Sequence, residues 1–455
     1  MNSGIRTKLF IMMVLEFFIW GAWLPPLFHL MGPDGLNFNG NEKALIGSCF
    51  AIASVLGIFF SNQFADRTFA SEKFLAFSHL VGGLAMLGLY FVKDFPTFFA
   101  LMLVHSILYV PTISVTNSLA FANLKDANKE FGIIRMGGTI GWILAAWPLY
   151  FILKPKSDAI GAATTALEEL KKSGAVGEQL ANAAQAVTTA TKALVAGETV
   201  AFIVAGVASL VLAAFCLTLP HTPPKPAAPG ADSLAWRKAF GLLGTPFVLV
   251  LFIVTFIDAT IHNGYFVMVF GFLSDVGIKS ENIMPVMSIG QIAEIITMAF
   301  LGSVLAKFGW RTTMIVGILG HAARYAVFAF FPTSPTLIIA VQVLHGICYA
   351  FFFATVYIFI DAAFPKDIRA SAQGLFNLLI LGIGDLAAKW IFVPLMENWK
   401  VTQIVAGKET SMIDYHKLFL VPVGFALVAT VILAVFFHPP KSISAGGEAS
   451  GSAPH

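Results

Sequence analysis

The chain has 455 residues, 57% hydrophobic and only 12% charged, with 44 Phe and a mean hydropathy of +0.81. Soluble domains carry about 25% charged residues, so this composition excludes an ordinary soluble protein and places the chain in a bilayer. A formal charge of +3, with the cations in the turns between apolar runs, leaves no nucleic-acid footprint. Cys49, Cys216 and Cys348 stand in apolar stretches without CxxC or Cys/His spacing, which argues against a disulfide scaffold and a zinc site.

Arg6 and Lys8 precede the first apolar run, 9–31. That run is too long for a signal-peptide core and lacks a small-residue cleavage pattern, so it reads as a membrane span. A hydrocarbon core about 30 Å thick needs about 20 apolar residues per helix. Further runs of this kind follow at 44–64, 74–92, 96–121, 131–153, 199–219, 240–273, 283–305, 312–331, 336–364, 368–396 and 418–437, giving about twelve spans. Basic residues gather on one side of them, at Arg6, Lys8, Arg67, Lys73, Lys125, Lys129, Arg237, Lys238, Lys307, Arg311, Lys366, Arg369 and Lys441. The excess of Lys and Arg in short cytoplasmic loops then predicts both termini and the central loop on the cytoplasmic side.

Two six-span halves follow from this pattern. Residues 1–219 form the first bundle, 220–238 a Pro/Ala/Gly-rich linker, 239–440 the second bundle and 441–455 a tail. Short basic turns at 61–73 and 302–313 occupy matching places in the two halves, a weak internal repeat. Between the fifth and sixth spans an insertion at 154–198 is rich in Ala and Thr, favours helix and reads as a solvated external cap.

Ionisable groups within spans are costly and mark pathways or buried pairs. They are Glu16, Arg135, Asp258, His262, Glu294, Arg324, His345, Asp361, Asp385 and Lys389. Asp385 and Lys389 are four apart and can neutralise each other; Arg135 and Arg324 can reach the headgroups by snorkelling; Asp361 adjoins a basic loop and suits an interfacial ion pair. Glu294 follows Gln291 by three residues on an otherwise apolar helix, so a carboxylate and an amide share one face and suit a polyhydroxylated ligand. Trp20, Trp23, Trp142, Tyr265, Phe266 and Tyr349 supply surfaces for a flat ring. No phosphate-binding loop, dinucleotide turn, metal cluster or nucleophile elbow is present, so neither ATP-driven transport nor an enzyme is expected, and no cofactor beyond a coupling proton.

The stretches LEFFIWGAWLPPL (15–27), YVPTISVTNSLAF (109–121), IIRMGGTIGWILA (133–145), MSIGQIAEI (287–295) and DIRASAQGL (367–375) together resemble the nucleoside:proton symporter family of the major facilitator superfamily. The resemblance implies an all-α fold of twelve transmembrane helices, as two six-helix bundles around a central cavity, importing nucleosides with protons by alternating access. It carries over substrate contacts to Arg135, Thr139, Trp142, Gln291 and Glu294, with Asn263, Tyr265 and Phe266 in the seventh span and His345 and Tyr349 in the tenth. One departure stands out: the family's aromatic-Asp-Phe-Phe element reads Tyr349-Ala350-Phe351-Phe352 here, without the Asp. The coupling carboxylate is therefore open among Glu294, Glu16, Asp258 and Asp385. The expected protein is a monomer in a bacterial inner membrane; other solutes (a sugar, a peptidoglycan fragment, a drug) or a non-transporting receptor of the same fold are the alternatives.

Overall fold

The computed structural model describes residues 3–124, 127–224, 240–364, 366–405 and 408–439. Most of the linker and all of the tail lie outside the described residues, as do Lys125, Arg237, Lys238 and Lys441 and the side chains of Arg67, Lys129, Lys366 and Arg369. In hydrocarbon every backbone N–H and C=O must be satisfied within its own segment, and the apolar runs accordingly fold as helices. The first half comprises α1 (Ser3–Leu30), α2 (Gly40–Thr68), α3 (Ser71–Leu89), α4 (Phe95–Asn123), α5 (Ala127–Leu144), α6 (Ala146–Lys172), α7 (Glu178–Glu198) and α8 (Val200–Cys216).

The second half begins with α9 (Pro246–Asp275) and α10 (Ser280–Phe330). The tenth span is built from α11 (Pro335–Ala340), α12 (Val343–Cys348), a π-helical turn at Tyr349–Ala354 and α13 (Thr355–Ala363). The eleventh runs through α14 (Lys366–Asn377), a second π-helical turn at Leu378–Ile383 and α15 (Gly384–Asn398). A two-stranded antiparallel hairpin, β1 (Lys400–Val405) and β2 (Lys408–Ile413), leads into α16 (Tyr415–Phe436). Asp414 caps α16 by accepting from the Lys417 N–H at 3.1 Å, and its contacts with Lys417 hold its carboxyl below the usual carboxylate range.

Ten segments among the described residues are long and apolar enough to cross a membrane. One of them, α10, has 51 residues. At about 1.5 Å per residue it is more than twice the length of a hydrocarbon core and supplies two crossings. Its halves meet at Gly309, where φ is 74° and ψ 173°, a conformation open to glycine and not to ordinary L-residues. The basic turn predicted at 302–313 is therefore helix apart from that one residue. Likewise α2 continues to Thr68, so most of the first basic turn, 61–73, is helical as well.

The chain clusters into two compact units, Met1–Pro226 with Phe266–Ser288, and Ala227–Tyr265 with Ile289–His455. In the first, α1 packs along α5 and α8, α3 lies against α4 and α8, and α2 against α4. The insertion continues the spans on either side of it: α6 and α7 pack on each other through a turn containing Gly174 and Gly177. Its foot is tied to α1, where His29 Nδ1 lies 2.7 Å from the buried Glu198 Oε2. In the second unit α12 crosses α10 so closely that a Cβ at Gly346 would stand 2.1 Å from the backbone nitrogen of Glu294.

The β1–β2 hairpin lies between the eleventh and twelfth spans, where the hydropathy pattern predicts no regular element. Arg324 also differs from expectation. It does not snorkel: the whole residue is 0% exposed, because rings and histidines around it hold its guanidinium inside the second unit.

Candidate functional site

Each unit carries its own group of polar and aromatic side chains. In the first, α5 sets Arg135, Thr139 and Trp142 on one face, spaced by four and three residues. All three are half-buried. The Arg135 guanidinium carbon lies 4.1 Å from the centre of the Phe17 ring, a cation–π contact. Trp142 meets Trp20 edge-on at 5.4 Å and Phe266 at 5.6 Å, and Trp20 stacks on Phe50 at 4.6 Å. Flat rings bordered by a guanidinium and a hydroxyl can stack a heterocycle and hydrogen-bond its edge.

Beside this aromatic group Glu16 is completely buried. Its Oε1 accepts from Thr112 Oγ1 at 2.6 Å, its Oε2 lies 2.9 Å from His79 Nε2, and its backbone carbonyl accepts from Tyr109 OH at 2.5 Å. The Tyr109 ring stacks on His105, whose Nδ1 lies 3.1 Å from the Gly82 carbonyl. Thus α1, α3 and α4 are pinned together at one carboxyl.

In the second unit the centre is Arg324 on α10. Its Nη1 donates to His345 Nδ1 at 2.6 Å and its Nη2 to His321 Nδ1 at 3.2 Å. The guanidinium lies 4.4 Å from the Tyr265 ring centre and 5.2 Å from that of Tyr325. Tyr265 donates to Gln342 Oε1 at 2.8 Å and Tyr325 to the Ile261 carbonyl at 3.0 Å. His262 stacks on His345 at 4.9 Å, with Tyr349 at 5.9 Å. Asp258 on α9 completes the cluster: it is 0% exposed, and its Oδ2 lies 3.7 Å from His321 Nε2.

The residues anticipated from sequence divide accordingly. Arg135, Thr139, Trp142 and Phe266 belong with the aromatic group of the first unit. Asp258, Tyr265, His345 and Tyr349 gather around Arg324. Asn263 commits its amide to the Ala259 and Ile380 carbonyls, both at 2.9 Å, and so fastens α9 to the second π-helical turn. Gln291 is 7% exposed with its Oε1 unpartnered, and half-buried Glu294 follows one turn later. Asp385 and Lys389, 5% and 3% exposed, form an ion pair on α15.

His79, His105, His321 and Gln342 were missed. Their signal was present: each is a polar side chain inside a predicted span, and His321 stands three residues before Arg324, on the same helical face. Formal charge marks the acids, lysines and arginines in a span, whereas the neutral polar groups that satisfy them carry no such mark.

A family model described as Nucleoside H+ symporter matches residues 3–164 and 158–442. YegT of Escherichia coli (strain K12), provisionally named a nucleoside transporter, is 32% identical over 400 residues, covering 86% of this chain and 84% of that protein. Xanthosine permease of the same organism is 26% identical over 464 residues, covering 97% and 98%. The crystal structure of the nucleoside transporter NupG superposes with a TM-score of 0.75 at 23% identity, over 96% of this chain and 99% of that one. This likeness shows that the chain shares the major facilitator fold, and the ten long apolar helices among the described residues make it a multi-pass membrane protein.

Proposed function

The chain belongs to the nucleoside H+ symporter family, and from that premise we propose that it imports nucleosides with protons by alternating access, its own side chains dividing the recognition of base and sugar. The observation that carries this reading is the α5 face. Trp142, with Trp20 and Phe266 against it, offers a stacking surface for a purine or pyrimidine, while Arg135 and Thr139 on the same face offer a cation and a hydroxyl to its edge. The unpartnered Gln291 Oε1 and the Glu294 carboxylate accept from ribose hydroxyls, and Tyr349 adds a further ring.

The aromatic face of the first unit favours ligands that carry a base over a bare sugar, because stacking requires the ring, and the acceptors of the second unit favour ligands that carry hydroxyls over a bare base, because buried acceptors left unpaired weaken binding. With no phosphate-binding loop in the sequence, the proton gradient is the energy source we assign. We assign both termini and the linker to the cytoplasm, on the excess of Lys and Arg along the sequence on that side. We read the protein as a monomeric inner-membrane carrier without metal or cofactor.

The test is uptake of labelled uridine and adenosine into proteoliposomes with and without an inward proton gradient. Accumulation above the external concentration only with the gradient supports symport. Equilibration alone identifies a uniporter, and no uptake of either nucleoside rejects the reading.

A further inference from the structure

Arg324 is a buried cation of the second unit that the family resemblance does not use and that, unlike Lys389, has no carboxylate on its own helix face to neutralise it. A guanidinium has N–H donors and no acceptor, and it stays charged. Both histidines that meet it do so through Nδ1, so each Nδ1 is an acceptor and carries no hydrogen. The ring proton of His321 and of His345 is then on Nε2, and both rings are neutral while these bonds stand. A second proton on either ring would have to displace Arg324.

His321 Nε2–H faces the carboxyl of Asp258 across 3.7 Å. Asp258 is fully buried, and neither of its oxygens has a hydrogen-bond partner. The polar groups facing it are His262, one turn along α9, His321 and Arg324 on α10, and Cys348 on α12. Among these only Arg324 bears a fixed charge. With Asp258 ionised, the two charges sum to zero; with Asp258 protonated, a net positive charge is left inside a span, which the bilayer strongly disfavours.

We propose that Asp258 carries the coupled proton, with Arg324 as the charge that senses it through His321. The step is a proton transfer alone: one O–H bond forms on an Asp258 oxygen when the proton enters and breaks when it leaves, and no electrons change hands. Losing its counter-charge loosens Arg324 from His321 and His345. His345 in turn presses on Gly290, where an added Cβ would meet its side chain at 2.8 Å, and Gly290 is the residue before Gln291. Protonation of Asp258 is thereby linked to the position of the amide that accepts from the sugar. This coupling route lies wholly within the second unit.

The inference rests on the nucleoside-symport reading, and its test separates the two. Wild-type protein and Asp258→Asn are reconstituted with a trapped pH-sensitive dye, and both gradient-driven uridine accumulation and uridine counterflow are followed. We expect Asp258→Asn to exchange uridine by counterflow while its accumulation ratio falls to about one and uridine-dependent acidification of the lumen disappears. Accumulation and acidification at wild-type levels in Asp258→Asn would overturn the proposal, as would loss of counterflow together with accumulation, which would make Asp258 a binding residue. If the wild type itself fails to accumulate uridine, it is the functional reading that falls. Should Asp258→Asn fail to reach the membrane folded, the pair Asp258→Asn with Arg324→Gln, which removes both charges together, is read by the same criteria. His321→Gln, which leaves Asp258 in place, should keep accumulation but displace its pH profile; an unmoved profile would remove His321 from the route.

Discussion

Glu16 Oε2 lies 2.9 Å from His79 Nε2 while Glu16 Oε1 accepts from Thr112 at 2.6 Å, with all three residues buried. One carboxyl thus joins three helices that are distant in sequence. Removing the imidazole strands a carboxyl in a dry interior, a loss of about 3–5 kcal/mol for a broken buried pair. Glu16→Gln keeps an acceptor for Thr112, so its loss should be smaller, about 1–3 kcal/mol. Thermal unfolding in detergent should rank His79→Leu below Glu16→Gln, and Glu16→Gln should still accumulate nucleoside. Loss of accumulation in a stable Glu16→Gln would move the coupling role to this carboxyl.

The Asp385–Lys389 pair, by contrast, satisfies its charges within one helix. Lys389→Met alone should destabilise by about 3–5 kcal/mol, whereas Asp385→Leu with Lys389→Met should be near neutral. A double-mutant cycle on detergent stability measures the difference. Accumulation by the double variant should remain within about twofold of wild type, since a pair one turn apart on α15 holds its own charge balance.

Gln291 tests sugar recognition. A buried acceptor discriminates against ligands that lack its donor, so wild-type protein should prefer uridine to 2′,3′-dideoxyuridine in competition uptake. Gln291→Leu should weaken uridine by about tenfold, roughly 1.4 kcal/mol, and leave the dideoxy analogue little changed. Equal loss for both ligands would place Gln291 in the fold and not in the site.

The α6–α7 hairpin makes its last buried contact through Glu198 and His29. Replacing 159–196 by a short Gly/Ser bridge retains that pair and the spans on either side. Uridine accumulation should persist at about half the wild-type rate or better. Abolished transport by a correctly inserted variant would show that the hairpin takes part in the cycle and is more than a cap.

Composition and periodicity alone determined that this is a helical membrane protein, where its spans lie and which acids are out of place in them. A bilayer forces that reading, because about 20 apolar residues in a row have one stable conformation in hydrocarbon. Several local features escaped it. The π-helical turns at 349–354 and 378–383 and the hairpin at 400–413 arise from small backbone adjustments with no distinctive residue signal, and the Gly309 break replaced a predicted loop by a single torsion.

The pairing of charges belonged to the tertiary structure. Arg135 and Arg324 look alike in sequence, each an arginine in a span. One lies half-buried on the Phe17 ring, and the other is sealed among His321, His345, Tyr265 and Tyr325. Asp258 and His321 are 63 residues apart, and only the packing of α9 on α10 brings their polar atoms together. Spacing along one helix reveals partners three or four residues away, which is why Asp385 and Lys389 were legible. A proton site assembled from several helices has no such period, because its geometry is set by how the helices pack.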